Sequence, residues 1–302
     1  MKNSLTWFIG IFLGAAVVGA AYHFWKPWPE STPVARPTPR KLPQIQNTTA
    51  DLKPESSTPL APDPTVVKQK IEREYAAALA LKTEGKPVEA RDALRKFLTD
   101  HASSDRIGDV KTLLGEINIT LLTTKAAAPE KVEHVVGAGE TLGKIAAQYN
   151  SPVALIVKSN GLRDNTARLG DRLWIPRAKF SVLVEKSKFT LTLSDVGQFF
   201  KEYKVGLGAA NSTPVGEFVV TDRIANPTWW RDDGKEIPYG HPENILGTHW
   251  LALNLSHYGI HGTWDKESIG KDSSRGCVRL TNTDIEELFT ILPRQTPVKI
   301  VE

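Results

Sequence analysis

The sequence predicts a multidomain chain: an N-terminal transmembrane helix, a proline-rich linker, a small α-helical module, an α+β module of order βααβ, and a mostly-β C-terminal domain. Three observations carry this reading. An uncharged run of 21 residues, Leu5 to Trp25, lies near the start. Ten of the 20 prolines fall in the next 39 residues, Lys26 to Pro64. Apolar residues then recur at helical spacing up to Thr124 and alternate at strand spacing beyond Phe180. The expected boundaries are 1–25, 26–64, 65–124, 133–177 and 180–302.

The first run is long enough to span a bilayer. Lys2 precedes it, Lys26 comes directly after it, and Trp7, Trp25 and Trp28 stand where interfacial aromatics belong. A cleaved secretory signal ending near Gly19-Ala20-Ala21 is the competing reading. Both place the rest of the chain outside the cytoplasm, so the expected location is the cell envelope, exported and either membrane-anchored or free in the periplasm or wall. The linker mixes proline with Ser and Thr, which cannot bury a core and stays extended.

In 65–124, Val67, Ile71, Tyr75, Ala78 and Leu79 mark one helix, and Gly85-Lys86-Pro87 breaks it. Ala90, Leu94, Phe97 and Leu98 mark a second. Val110, Leu113, Leu114, Ile117 and Leu121 mark a third. Helix, glycine turn and helix with small residues at Ala77, Ala80 and Ala90 resemble one tetratricopeptide-type hairpin plus a helix. A spacer, or a docking module for a protein partner, is the expected role.

From His134 to Pro176, a short strand leads to a glycine turn. Thr141 caps a helix carrying Ile145, Ala146 and Tyr149, Ser151-Pro152 opens a second helix, and Arg172-Leu173-Trp174-Ile175-Pro176 closes as a strand. Gly139-Glu140-Thr141-Leu142, Asn160-Gly161-Leu162, Gly170 and Ile175-Pro176 resemble a LysM module over its whole length. That resemblance implies binding of N-acetylglucosamine-containing glycan strands, with Gly139, Glu140, Thr141, Asn160 and Gly161 as the candidate contacts. The apolar matches Leu142, Ile145 and Leu173 read as core.

Beyond Phe180, strands alternate at Ser181–Val184, Phe189–Leu193, Phe199–Val205, Gly216–Thr221, His249–Leu253, Gly259–His261 and Thr296–Val301. One helix, Asp284 to Leu292, is expected to be capped by Thr283. Many strands with one late helix argue for a sandwich or partly closed barrel.

Cys277 is the only cysteine, which excludes an intrachain disulfide and any CxxC zinc or redox site. A net charge of +4 without a long basic run gives no nucleic-acid signature. His257 and His261 are four apart, but no HExxH and no third ligand accompany them, so no metal is expected. No cofactor is expected either. His241 and His249 read as loop and surface residues. Trp250 reads as core, while Trp229, Trp230 and Trp264 are candidates for walling a cleft.

The chemistry concentrates in Ile260 to Leu280. A thiol needs a base nearby to become a nucleophile, and His261 is the histidine at hand. Ser274-Arg275-Gly276 permits a tight turn before Cys277 whose N–H groups are placed for an oxyanion. Arg279, two residues on, shares the face of Cys277 in extended chain. The arginine suits a substrate carboxylate or the thiolate.

His261-Gly262-Thr263 followed by Ser274-x-Gly276-Cys277-x-Arg279 resembles the YkuD-type L,D-transpeptidases. Ser212-Thr213-Pro214-Val215-Gly216-Glu217-Phe218 and Asn244, Leu246 and Gly247 extend the match. The resemblance covers 180–302. It implies a β-rich fold, Cys277 as nucleophile, His261 as base, and peptidoglycan stem peptides joined by 3→3 cross-links through a thioester. Many members carry a second histidine before the glycine, where this sequence has Arg275. Any third catalytic role then falls to a backbone carbonyl or to Ser274. Water as acceptor would make the enzyme an L,D-carboxypeptidase, and a protein amine would make it a lipoprotein-anchoring enzyme. A non-enzymatic peptidoglycan scaffold is the reading from another class.

Overall fold

The computed structural model describes residues 63–302. The expected fold class is corrected on one point. Among these residues no helix is long and apolar enough to cross a membrane, and Leu5 to Trp25 and the linker up to residue 62 lie outside them.

Three helices come first: α1 (Pro64–Thr83), α2 (Pro87–Asp100) and α3 (Ile107–Thr123). Asp63 caps α1 by accepting from the Thr65 N–H, and Pro64 and Pro87 each occupy a first turn, where a missing N–H is harmless. Gly85 turns the chain between them at φ +74°. Ala78, Ala90, Leu94, Phe97, Leu114, Ile117 and Leu121 form the core of this module.

A two-stranded antiparallel ribbon, β1 (Lys131–Val135) and β2 (Arg172–Pro176), brackets α4 (Leu142–Tyr149) and α5 (Val153–Asn160). Thr141 caps α4 by accepting from the Lys144 N–H. Val136, Leu142, Ile145, Ile156, Leu173 and Ile175 fill this second core.

The remaining chain comprises β3 (Phe180–Glu185), β4 (Thr190–Asp195), β5 (Gln198–Lys204), β6 (Leu207–Gly208), β7 (Gly216–Ala225), β8 (Trp229–Trp230), β9 (Glu236–Ile237), β10 (His249–Leu253), β11 (Gly259–His261), β12 (Asp272–Ser274), β13 (Val278–Arg279), α6 (Asn282–Ile291) and β14 (Pro297–Val301). Eight strands make one mixed sheet of order β13-β11-β10-β7-β14-β3-β4-β5. β11 runs parallel to β13 and β14 parallel to β3, while the other neighbours are antiparallel. Strict alternation puts Phe180, Val182 and Val184 on the core face, opposite Leu191 and Leu193 and beside Val298 and Ile300. Ile285, Leu288 and Ile291 of α6 cover that face. Each such buried side chain contributes roughly 1.5–3 kcal/mol.

Two expectations change. Thr281, not Thr283, caps α6: its Oγ1 accepts from the Asp284 N–H and donates to the Asp284 carboxylate. The helical module is no free spacer. α3 lies along edge strand β5, where Phe200 is a bulged residue between the pairs Ser194–Phe199 and Leu193–Lys201. Buried Asn118 donates Nδ2 to the Phe200 carbonyl at 2.8 Å. That supplies the partner the bulge denies a backbone group. Lys111 pairs with Glu202, and Leu122 enters the core of the sheet. Ser159 of α5 donates to the Leu122 carbonyl, and buried Arg91 donates to both carboxylate oxygens of Glu130. The three cores are thus bolted together.

Candidate active site

Strand register assembles the site before any loop does. Ile224 of β7 pairs with Trp250 of β10, Trp250 with His261 of β11, and His261 with Arg279 of β13. Directly paired residues share a sheet face, so these four side chains form one row across four strands. Cys277 immediately precedes β13, two residues before Arg279, and joins the same face. All five line a cleft of about 600 Å³, with Ser274, Arg275, His257, Tyr258, Trp229, Trp230 and Asp232.

His261 is fully buried. Its Nδ1 lies 2.6 Å from the Gly262 carbonyl oxygen. A carbonyl only accepts, so Nδ1 carries the proton and the neutral ring keeps a lone pair at Nε2. Burial pulls the imidazole pKa down to about 4, with the Arg279 charge adding to the effect. The ring is therefore an unprotonated base at neutral pH. Trp250 stacks on it, centroids 5.4 Å apart and planes at 19°. This corrects the expectation of Trp250 as plain core: it is half-buried and forms the imidazole's wall. Strand pairing with His261, not the sequence pattern, reveals the role.

Burial pushes the Cys277 thiol above its ordinary value, opposed by a backbone hydrogen bond at Gly259 and by the Arg279 charge. The thiol donates to the His257 carbonyl at 3.5 Å. His257 holds φ +66°, a left-handed value unusual for a residue with a Cβ. The turn between β10 and β11 thereby aims a carbonyl at the thiol.

The turn before Cys277 is tightly specified. Gly276 has φ +130°, and a Cβ there would lie 2.6 Å from the Tyr258 ring. Ser274 Oγ accepts from the Gly276 N–H at 3.0 Å and donates to the Cys277 carbonyl at 2.8 Å. The Gly276 N–H is thus engaged by Ser274 instead of facing the cleft. Beneath the turn, Gly208 approaches so closely that a Cβ would meet the Gly276 Cα at 2.7 Å, and buried Thr213 accepts from the Gly208 N–H. The Thr213-Pro214 match is a support for the cysteine turn.

Gly262 and Thr263 do not line the cleft. Gly262 leaves room for Asn282, whose Oδ1 would lie 2.3 Å from a Cβ there and which accepts from the Thr248 N–H. Thr263 is buried and accepts from the Asp265 N–H. Asn244 donates Nδ2 to the Pro227 and Ile237 carbonyls and accepts from the Leu246 N–H, pinning the β8–β9 hairpin as the far wall. Trp229 and Trp230 line the cleft. Trp264 lies outside it, beside Tyr239. His241 is exposed, whereas His249 is half-buried against Phe289 rather than on the surface. Among the described residues no group of three or more His, Cys, Asp or Glu side chains is placed for a metal.

In the βααβ module, Gly139, Thr141 and Gly161 are exposed. The Glu140 carboxylate accepts from the Gly137 N–H at 2.7 Å and lies 2.9 Å from His134 Nε2, which holds it below the usual carboxylate range. Asn160 is corrected: it is buried, with Nδ2 donating to the Ile156 and Trp174 carbonyls and Oδ1 accepting from the Trp174 N–H. Its amide closes the module and is unavailable to glycan.

Residues 134–176 match the LysM domain family, and residues 179–300 match the YkuD family, described as the L,D-transpeptidase catalytic domain. The chain is 35% identical over 170 residues to the putative L,D-transpeptidase YkuD of Bacillus licheniformis, covering 54% of this chain and 94% of that one. It is 28% identical over 197 residues to the probable L,D-transpeptidase YcfS of Escherichia coli, covering 56% and 61%. An L,D-transpeptidase structure from Mycobacterium smegmatis aligns at 18% identity and a TM-score of 0.36, over 43% of this chain and 73% of that one. With a relative matched across nearly its whole length at this identity, the chain belongs to the YkuD-type L,D-transpeptidases.

Proposed function

We propose that this L,D-transpeptidase acts on peptidoglycan stem peptides through a Cys277 thioester and joins them in 3→3 cross-links. The observation that carries the reading is the row Trp250–His261–Arg279 on the face of Cys277, with a neutral buried imidazole whose Nδ1 is engaged by the Gly262 carbonyl, leaving the lone pair on Nε2. Sγ of Cys277 attacks the carbonyl of the third stem residue while His261 Nε2 takes the thiol proton. The intermediate collapses as the terminal D-residue leaves, its amine receiving that proton. An amine of a second stem then attacks the thioester, His261 accepts its proton, and the thiol is reformed. Since thiol and imidazole both rest neutral, proton transfer accompanies attack rather than preceding it.

The Gly262 carbonyl that orients Nδ1 supplies the third member, and Ser274 holds the turn. Arg279 is placed for a carboxylate next to the scissile bond. Gly139, Thr141 and Gly161 are the glycan contacts, with Glu140 fixing their turn. The division into 65–124, 133–177 and 180–302 belongs to the same proposal. A LysM domain joined to a transpeptidase domain marks a cell-wall or envelope protein, and tethering on glycan raises the local concentration of stem peptide.

The test is incubation with disaccharide-tetrapeptide and then mass spectrometry. A cross-linked dimer lacking one terminal residue supports the reading. Tripeptide alone makes the enzyme a carboxypeptidase, and no product in either form removes it.

A further inference from the structure

The outer arginine of the cysteine turn has a partner that belongs to a different element. Arg275 Nη1 lies 2.6 Å from Asp232 Oδ2, at the tip between β8 and β9. Its guanidinium carbon is 5.9 Å from the centre of the Trp229 ring, which presents an apolar face to it. Asp233 pairs with Arg231 within the hairpin, and Glu243 just beyond it pairs with Arg231 and Lys235, while Glu236 of β9 makes no ion pair among the described residues. Asp232 alone reaches across the cleft. The pair is open to water, with side chains 66% and 84% exposed, and an ion pair that exposed holds weakly and exchanges readily.

Among the residues lining the cleft, Asp232 is the one carboxylate, against Arg275 and Arg279. Arg279 has a buried Nε without a partner and a single long contact, 3.4 Å, to Ser273. Even with Asp232 in place the cleft keeps an excess positive charge, which draws an anionic peptide. The two arginines divide the work by depth. Arg279 is half-buried beside the thiol, while Arg275 stands at the mouth, suited to a carboxylate carried on a side chain.

Resting on the transpeptidase reading, we propose that Arg275 is a specificity-determining residue. Its planar fork leaves Asp232 for a free side-chain carboxylate on the acyl-donor peptide, so the site takes the acid over its carboxamide counterpart. Asp232 is then a stand-in that keeps the guanidinium in position over Trp229 until substrate arrives.

The experiment uses the full chain and two synthetic tetrapeptide donors identical except that the third residue's side-chain carboxylate is free or amidated. Turnover and calorimetric binding are measured for the wild type, Arg275→Gln, Arg275→Lys and Asp232→Asn. The wild type is expected to prefer the acid by about tenfold, a preference residing in KM and affinity. R275Q brings the two peptides within about twofold, R275K recovers part of the preference, and D232N strengthens it by removing the competitor. An R275Q enzyme that keeps the wild-type preference, or that loses both peptides in equal proportion, overturns the proposal. If the wild type turns over neither peptide, the transpeptidase reading fails, and the calorimetric preference still decides the role of Arg275.

Discussion

His261 and Cys277 are both held in their neutral forms by the same physical cause, removal from water. For the imidazole the consequence reaches beyond catalysis. Its pKa falls from 6.5 to about 4 on folding, so in acid the unfolded chain takes up the proton first. The stabilisation is complete above pH 6.5 and is lost as pH falls toward 4. Linkage puts the loss at about 3 kcal/mol. Urea titrations of wild type and His261→Gln across this window are expected to show the steeper loss in the wild type; parallel curves would remove the buried imidazole. By the same shift, kcat/KM is expected to hold down to about pH 4.5 and to fall below it, whereas an acid limb at pH 6.5 would place the imidazole in water. The identities of Cys277, His261 and Arg279 were legible in the sequence because their types and spacing are chemically unusual together. Trp250 was not, because one aromatic on a strand reads alike whether it meets core or catalyst. Only the register Trp250–His261 distinguishes the two.

At the scale of elements, the cysteine turn depends on glycines at which other groups approach. Gly276→Ala adds a Cβ at 2.6 Å from the Tyr258 ring and forces a residue with a side chain to φ +130°. A loss of about 1–3 kcal/mol of stability is expected. A fall in kcat of at least about a hundredfold is also expected, since displacing a nucleophile by an ångström is that damaging. Thermal melts and steady-state kinetics check both, and an alanine enzyme with wild-type kcat would show that the turn is not the positioning device. Strand existence was legible from alternation, as in Phe180–Glu185. Helix limits were less so: Thr281 and Thr283 are both credible caps, and the choice rests on which hydroxyl reaches the Asp284 N–H. Asn160 misleads for a related reason. An asparagine before a glycine looks like a ligand contact in sequence, yet this amide closes backbone groups of β2 and α5.

For the whole molecule, the helical module was legible as three helices but not as a cover for the sheet. Its docking depends on contacts far apart in sequence, such as Asn118 with Phe200. It protects an edge strand and contributes Leu122 to the main core. A chain lacking residues 63–124 is expected to lose about 2–5 kcal/mol from the missing Leu122 alone and to associate through β5. Calorimetry and light scattering check this, and an unchanged melting temperature in a monomeric product would contradict it. The same bolting fixes the βααβ module to the catalytic sheet through α5 and α3.

In the proposed reaction one thiol carries the acyl group between two peptides. The most direct measurement is mass spectrometry of the full chain mixed with a tetrapeptide donor, with and without an acceptor amine, in wild type and Cys277→Ala. A wild-type adduct equal to the donor minus its terminal residue, discharged by the acceptor and absent from the variant, is the predicted result. Cross-linked product formed by Cys277→Ala would contradict the account.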